Sequence, residues 1–206
     1  MIHSFSTGFF LGLSLIIAIG AQNTFVLRQG ILGQHVFYVA LFCAVSDALL
    51  ICIGVAGISF FLNNFISQNS NILFGLSAIW LAGYGMIRLK SALKSNIIIE
   101  IEASSIKGLF PTISVAAGLT FLNPHVYLDT MILIGSISQQ FSGIHKVTFA
   151  FGAILASFVF FFSLAYGAKK LSPYMKHQSA WKTLDCLISL IMFTIAFQLA
   201  SAGNWL

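Results

Sequence analysis

Six long apolar stretches limit this chain to one broad kind of fold. A helix needs about 20 mainly apolar residues to cross the hydrocarbon core of a bilayer, and runs of about that size occupy residues 6–27, 37–62, 72–89, 112–136, 147–168 and 183–203. Charged residues make up only 7% of the 206 residues, whereas soluble domains carry about 25%. The sequence therefore predicts an all-α integral membrane protein with six transmembrane helices, the first of which is retained rather than removed as a signal peptide.

The basic residues are distributed unevenly among the loops between these stretches. One side of the predicted bundle carries only Lys146, and the other side carries Arg28, Arg88, Lys90, Lys94, Lys107, Lys169, Lys170, Lys176 and Lys182. Basic loops favour the cytoplasmic face, so the second side is predicted to be cytoplasmic and both termini to lie outside the cytoplasm. Topology accounts for the net charge of +5, and nucleic-acid binding is not predicted.

The chain is predicted to form a single transmembrane transporter domain made of two similar halves. Repeat 1 covers about residues 1–90, a cytoplasmic connector about 91–110, and repeat 2 about 111–206. At an offset of one hundred residues the two halves share Ser14 and Ser114, Asn23 and Asn123, and Val26 and Val126. Three helices in each half would orient the halves oppositely, and such inverted three-helix repeats often surround a transport site near the bilayer midplane.

Two polar strings interrupt the apolar helices, GAQNTFVLR in the first and FLNPHVYLDT in the fourth. Pro124 lacks an N–H and clashes with the carbonyl four residues earlier, so the fourth helix is predicted to break there and to leave carbonyl groups that can face a cation. The amides of Gln22, Asn23 and Asn123 are candidates for the same site. They could equally hydrogen-bond between helices, and the proline kink could serve packing alone.

Two carboxylates lie inside predicted helices. Asp47 is in the middle of the second helix, and Asp129 is towards the outer end of the fourth, with His125 one turn before it on the same face. A charged residue at the centre of a membrane helix costs about 2.5–3.5 kcal/mol on insertion scales, so both acids are expected to avoid lipid. They predict a negative site for a cation. The structural alternative pairs Asp47 with Arg28 or backbone groups and makes His125 a hydrogen-bonded spacer.

Three strings, GAQNTFVLRQG, AVSDALL and TFLNPHVYLDTMILIGS, resemble the signature segments of the LysE family of basic amino-acid exporters, which includes bacterial lysine and arginine exporters. The resemblance implies a multi-pass protein of the bacterial inner membrane that exports L-arginine, L-lysine or both from the cytoplasm. It also carries the family's functional segments onto this chain at Gln22, Asn23, Asp47, Asn123, Pro124, His125, Tyr127 and Asp129.

The charges suggest how such transport would be driven. Asp47 and Asp129 can replace the hydration of an ammonium or guanidinium group with charge-assisted hydrogen bonds. An empty buried carboxylate tends to take up a proton, whereas a bound cation favours the ionised form, so proton and substrate would compete. Proton antiport is the expected mechanism, and transport driven by the membrane potential alone stays open.

Other functions are weighed against this one. An exporter of a neutral amino acid such as homoserine or threonine is the main alternative, although a neutral side chain needs no second carboxylate. A membrane-embedded enzyme is not expected, because the sequence holds no HExxH motif and its three cysteines lack metal-ligand spacing. No cofactor is predicted. Lipid and the transported amino acid are the expected partners, and a homodimer is one open alternative for the oligomeric state.

Overall fold

The computed structural model describes residues 1–17, 20–93, 108–176 and 178–202, and these residues form helices joined by short turns, with no β-strand among them. In the first half the elements are α1 (Ile2–Ile16), α2 (Ala21–Leu32), α3 (Val36–Ile53), a first π-helical turn (Gly54–Ile58) and α4 (Ser59–Leu93). In the second half they are α5 (Leu109–Phe121), α6 (Pro124–Tyr127), a second π-helical turn (Leu128–Leu133), α7 (Ile134–Ser138), α8 (Gly143–Gly167), a 3-10 helix (Ala168–Lys176) and α9 (Gln178–Ala202). Most of the predicted connector lies outside the described residues.

Among the described helices, three are long and apolar enough to cross a bilayer: Val36–Gly57, Gly143–Leu171 and Ser179–Ser201. They coincide with the second, fifth and sixth predicted stretches. The number rises to four if α1 and α2 are counted as one bent span. The fourth stretch divides into two shorter apolar helices, and the third lies within α4. The all-helical apolar chain is confirmed, whereas six full spans remain a prediction.

The first predicted span is not one straight helix. α1 and α2 meet at an angle of 82°, and Gly20 at the start of α2 is extended, with φ −117° and ψ 179°. The Nδ2 group of Asn23 donates to the carbonyl of Ile16 at 2.7 Å, which ties the first turn of α2 to the end of α1. The prediction of one continuous helix over residues 6–27 is therefore wrong. Apolar composition gives no sign of this bend, which a glycine and an amide hydrogen bond stabilise.

A second bend separates α3 from α4. Gly57 has φ 91° and ψ 5°, a left-handed backbone conformation that glycine adopts without the steric cost that a Cβ atom adds. The chain turns here directly into the 35-residue α4, whereas the apolar pattern predicts a loop between residues 62 and 72. Gly57 thus places a kink in the chain before the position of the predicted loop.

Close helix contacts join the two halves. A methyl group on Gly8 of α1 would overlap the carbonyl of Phe149 in α8, and one on Gly152 of α8 would overlap the carbonyl of Phe5. Small residues of this kind let membrane helices approach at backbone distance. α3 also packs against α8, and α4 packs along α9. This packing holds the bent segments of both halves around a common centre.

Candidate functional site

A cavity of about 260 Å³ lies where the two bent segments meet α3, α8 and α9. A cavity of this volume has room for more than one water molecule and can take one small molecule. Apolar walls include Phe161 and Ile195, and the polar lining consists of Gln22, Asn23, Asp47, Asn123, Asp129, Thr130 and Gln198. This central cavity brings together five residues that the sequence singles out, and their role in binding stays a prediction.

Interrupted helices supply the amide groups of the central cavity. Gln22 and Asn23 lie in the first turn of α2, directly after the bend, and Asn123 lies in the gap between α5 and α6. The carbonyl of Asn123 accepts the N–H of Val126 at 3.2 Å and so begins the helix after the gap. The two breaks are about one hundred residues apart in sequence and face the same cavity.

Asp47 is the most buried acid of the cavity, with 3% of its surface exposed. Ser157 of α8 donates a hydrogen bond from its Oγ atom to the Asp47 Oδ2 atom at 3.0 Å. The second carboxylate oxygen, Oδ1, is buried and has no hydrogen-bond partner among the described residues. A buried acceptor without a hydrogen bond costs free energy. A donor or a cation that enters the cavity can therefore bind favourably to Oδ1.

Asp129 adds a second carboxylate to the same space. It lies half-buried in the second π-helical turn and lines the central cavity. Its charge interacts electrostatically with that of Asp47. Two acids of like charge in one cavity repel each other unless a cation or a proton lies between them. The arrangement is therefore suited to a positively charged ligand.

Gln22 gives the cavity a donor as well. The side chain is 6% exposed, interacts with Asp47, and its Nε2 group has no hydrogen-bond partner among the described residues. The first turn of α2 contains no acidic residue, and Gly20 provides no side-chain cap. The N–H groups at a helix start attract anions. Donor and acceptor together match a ligand with both negative and positive groups.

The other predicted site residues are placed differently. Tyr127 does not line the central cavity, and its hydroxyl donates to the carbonyl of Phe121 at 2.8 Å. This bond spans the gap between α5 and α6, and the role of Tyr127 in binding stays a prediction. Pro124 and His125 begin α6, but their side chains lie outside the described part of the structure, so their proposed roles stay predictions.

A second group of buried charges lies outside the central cavity. Asp185 of α9 is fully buried, and its Oδ1 atom is 3.6 Å from Arg28 Nε and 3.7 Å from Arg88 Nη1. The Arg28 guanidinium carbon is 5.9 Å from the centre of the Trp181 ring, and that of Arg88 is 5.0 Å from the Tyr84 ring. We call these five residues the arginine cluster. Pairing of Asp47 with Arg28 is therefore wrong, because Asp185 takes that partner.

Sequence reasoning missed Ser157 and Asp185. Ser157 stands in the middle of the fifth apolar stretch, where a hydroxyl group is a weak signal of a buried partner. Asp185 lies near the start of the sixth stretch, where an acidic residue is readily interpreted as part of the exposed end of the helix. Within the described residues, no group of three or more His, Cys, Asp and Glu side chains could hold a metal ion.

Comparisons with known proteins identify the family. The sequence-family model of the LysE-type translocators matches residues 13–203. The chain is 40% identical over 196 residues to YggA of Aeromonas salmonicida, with 95% of both chains covered. Identity is 37% to the arginine exporter protein ArgO of Enterobacter sp. (strain 638) and 38% to that of Salmonella typhimurium, over 98% of this chain and 96% of each relative. No solved structure matches. The chain therefore belongs to the LysE-type translocator family and is a transporter rather than an enzyme.

Proposed function

We propose that this protein exports L-arginine from the cytoplasm across the bacterial inner membrane. The observation that carries the proposal is the buried Asp47 Oδ1 atom, which has no hydrogen-bond partner among the described residues and belongs to a cavity that Asp129 also lines. The names of the ArgO relatives support arginine as the substrate. L-Lysine carries the same two kinds of charged group at its α-carbon and a cation on its side chain, so it is the second substrate to test.

The polar groups of the cavity suggest how an amino acid would lie in it. Its α-carboxylate fits the donors at the start of α2, the Gln22 Nε2 group and the N–H groups that no side chain caps. Its two cationic groups fit Asp47 and Asp129, one at each acid. A charge-assisted hydrogen bond contributes about 1.5–3 kcal/mol. A neutral amino acid would still place its α-ammonium group at one acid, so the second acid is the one that would favour a basic amino acid.

Proton coupling follows from the same two acids. When the cavity is empty, two carboxylates of like charge, one buried and one half-buried, favour a shared or bound proton. Entry of a cation would release that proton, and departure of the cation would restore it. Substrate and proton would then cross in opposite directions. Transport driven by the membrane potential alone differs in one respect, since arginine efflux would then not move protons inward.

We also propose that the chain crosses the membrane six times as two inverted three-helix repeats. The helices after the two bends begin at Ala21 and Pro124, within three residues of the hundred-residue offset between the halves. The helices that follow pack across the halves as α3 with α8 and α4 with α9. This symmetry supports alternating access, in which the halves rock about a fixed central site. Side-specific labelling of single cysteines placed in each loop would test the arrangement, and any number of crossings other than six would contradict it.

Export can be tested in cells that lack their own basic amino-acid exporters. Such cells would be loaded with an arginine-containing dipeptide, and free arginine in the medium would be followed with and without this protein. We expect efflux that requires Asp47, so Asp47→Asn should abolish it with the protein still present in the membrane. Lysine, homoserine and threonine dipeptides serve as parallel cargoes. Efflux of homoserine or threonine but not of arginine would refute the proposal.

A further inference from the structure

The arginine cluster is separated from the central cavity but shares two helices with it. On α9, Asp185 precedes the cavity residue Gln198 by 13 residues, about 20 Å of helix at 1.5 Å per residue. On α2, Arg28 follows the cavity residue Gln22 by six residues, about 9 Å. The two sites are therefore linked by rigid segments and are not one site.

The cluster pairs its charges without satisfying them. Two guanidinium groups approach one oxygen of Asp185, which leaves the cluster with one excess positive charge. The Nε atoms of Arg28 and Arg88 and both carboxylate oxygens of Asp185 have no hydrogen bond among the described residues. A buried ion pair repays its desolvation only with excellent geometry and full hydrogen bonding. Contacts this long are better suited to a carboxylate that exchanges one cationic partner for another than to an ion pair that only stabilises the fold.

α2 contributes residues to both sites. Its first turn lines the central cavity, and its later turns hold Arg28 against Asp185. The 82° bend before α2 sets its direction apart from that of α1, so its 12 residues form a separate helical unit. A shift of α2 that closes the cavity around a ligand would also change the separation of Arg28 and Asp185.

We propose that the arginine cluster is a gate on the transport path, at which the cationic group of the substrate takes the place of an arginine side chain on Asp185. This inference rests on the proposed export of a basic amino acid. In the closed state Asp185 is fully buried beneath two guanidinium groups, and their excess charge repels other cations. A substrate guanidinium or ammonium group competes for the carboxylate, whereas a neutral amino acid has no side-chain charge with which to compete.

Arg88→Gln gives the sharpest test because it removes one competitor and leaves the Arg28–Asp185 pair. We expect a lower half-saturating concentration of arginine for transport in proteoliposomes, by about tenfold, the equivalent of about 1.4 kcal/mol. Lys90→Gln is the matched control, since it removes an exposed positive charge from the same helix. A purely structural role for Arg88 would leave the half-saturating concentration unchanged or raise it, and either result would overturn the displacement step.

Opening of the gate can be measured without any substrate. Cys43 is fully buried and lies one helical turn before Asp47, so its reaction with N-ethylmaleimide reports access to the region beside the cavity. The reporter chain would carry Cys52→Ser and Cys186→Ser. If the gate is open about 1% of the time in the unsubstituted protein and mostly open in Asp185→Asn, the variant should react with N-ethylmaleimide up to about a hundredfold faster. Arg88→Gln should give a smaller increase, and Lys90→Gln none.

The outcomes separate this inference from the proposed function. Unchanged labelling in both cluster variants, with the protein in the membrane, would overturn the gate. If Asp185→Asn does not accumulate, Arg88→Gln alone decides the question. Faster labelling in a protein that exports no arginine would refute the proposed substrate and leave the gate standing for another cargo.

Discussion

The hydrogen bond from Ser157 to Asp47 provides a quantitative test of how the site works. Ser157 is fully buried on α8, and its Oγ atom is 3.0 Å from the Asp47 Oδ2 atom. Ser157→Ala removes this hydrogen bond from the carboxylate. Hydrogen bonds to charged groups contribute about 1.5–3 kcal/mol, so the ionised acid that should hold the substrate loses about that much stabilisation.

The expected result is a higher half-saturating concentration of arginine, by about 10-fold to 150-fold, since 1.4 kcal/mol corresponds to a factor of ten. Uptake of labelled arginine into proteoliposomes at fixed pH measures it directly. Ser163→Ala is the matched control, because Ser163 lies on the same helix but is exposed. A half-saturating concentration that stays within about twofold of the unsubstituted protein would refute the reasoning that Asp47 acts as an ionised acid supported by Ser157.

Two further substitutions test the fold around the site. Gly8→Val should destabilise the α1–α8 contact by about 1–3 kcal/mol, because the new side chain meets the carbonyl of Phe149; Gly83→Ala, where a Cβ atom meets nothing within 4 Å, is the control in a thermal unfolding assay, and equal melting temperatures would contradict the packing. Tyr127→Phe removes the hydrogen bond to the Phe121 carbonyl and should cost about 0.5–1.5 kcal/mol of stability. Its half-saturating concentration for arginine should not change, and a large increase would make Tyr127 a binding residue.

The helical class and the fourth-helix break could be predicted from sequence because each depends on local chemistry. Apolar runs of membrane length have few alternative structures, and Pro124 cannot continue an ordinary helix without disturbing it. The bend between α1 and α2 contains no proline that would predict it from the sequence. It depends on Gly20 and on a hydrogen bond from Asn23 to Ile16, which only the folded geometry reveals.

Pairings between distant residues were the part that sequence could not supply. Asp47 and Ser157 are 110 residues apart, and Arg28 and Asp185 are 157 positions apart in the numbering. Composition identifies an acid in an apolar stretch as costly, but it does not say which helix covers it. For that reason Arg28 is a plausible partner of Asp47 from sequence, although the packing of α2 against α9 gives it to Asp185 instead.

The central claim is that Asp47 and Asp129 hold a cationic amino acid in the central cavity. Titration of the purified protein with arginine and with citrulline, which replaces the guanidinium by an uncharged urea group of similar shape, tests this claim most directly. We predict that arginine binds, that citrulline binds at least about tenfold more weakly, and that Asp47→Asn weakens arginine binding by at least the same factor. Equal binding of the two amino acids, or undiminished arginine binding by the Asn variant, would contradict the account.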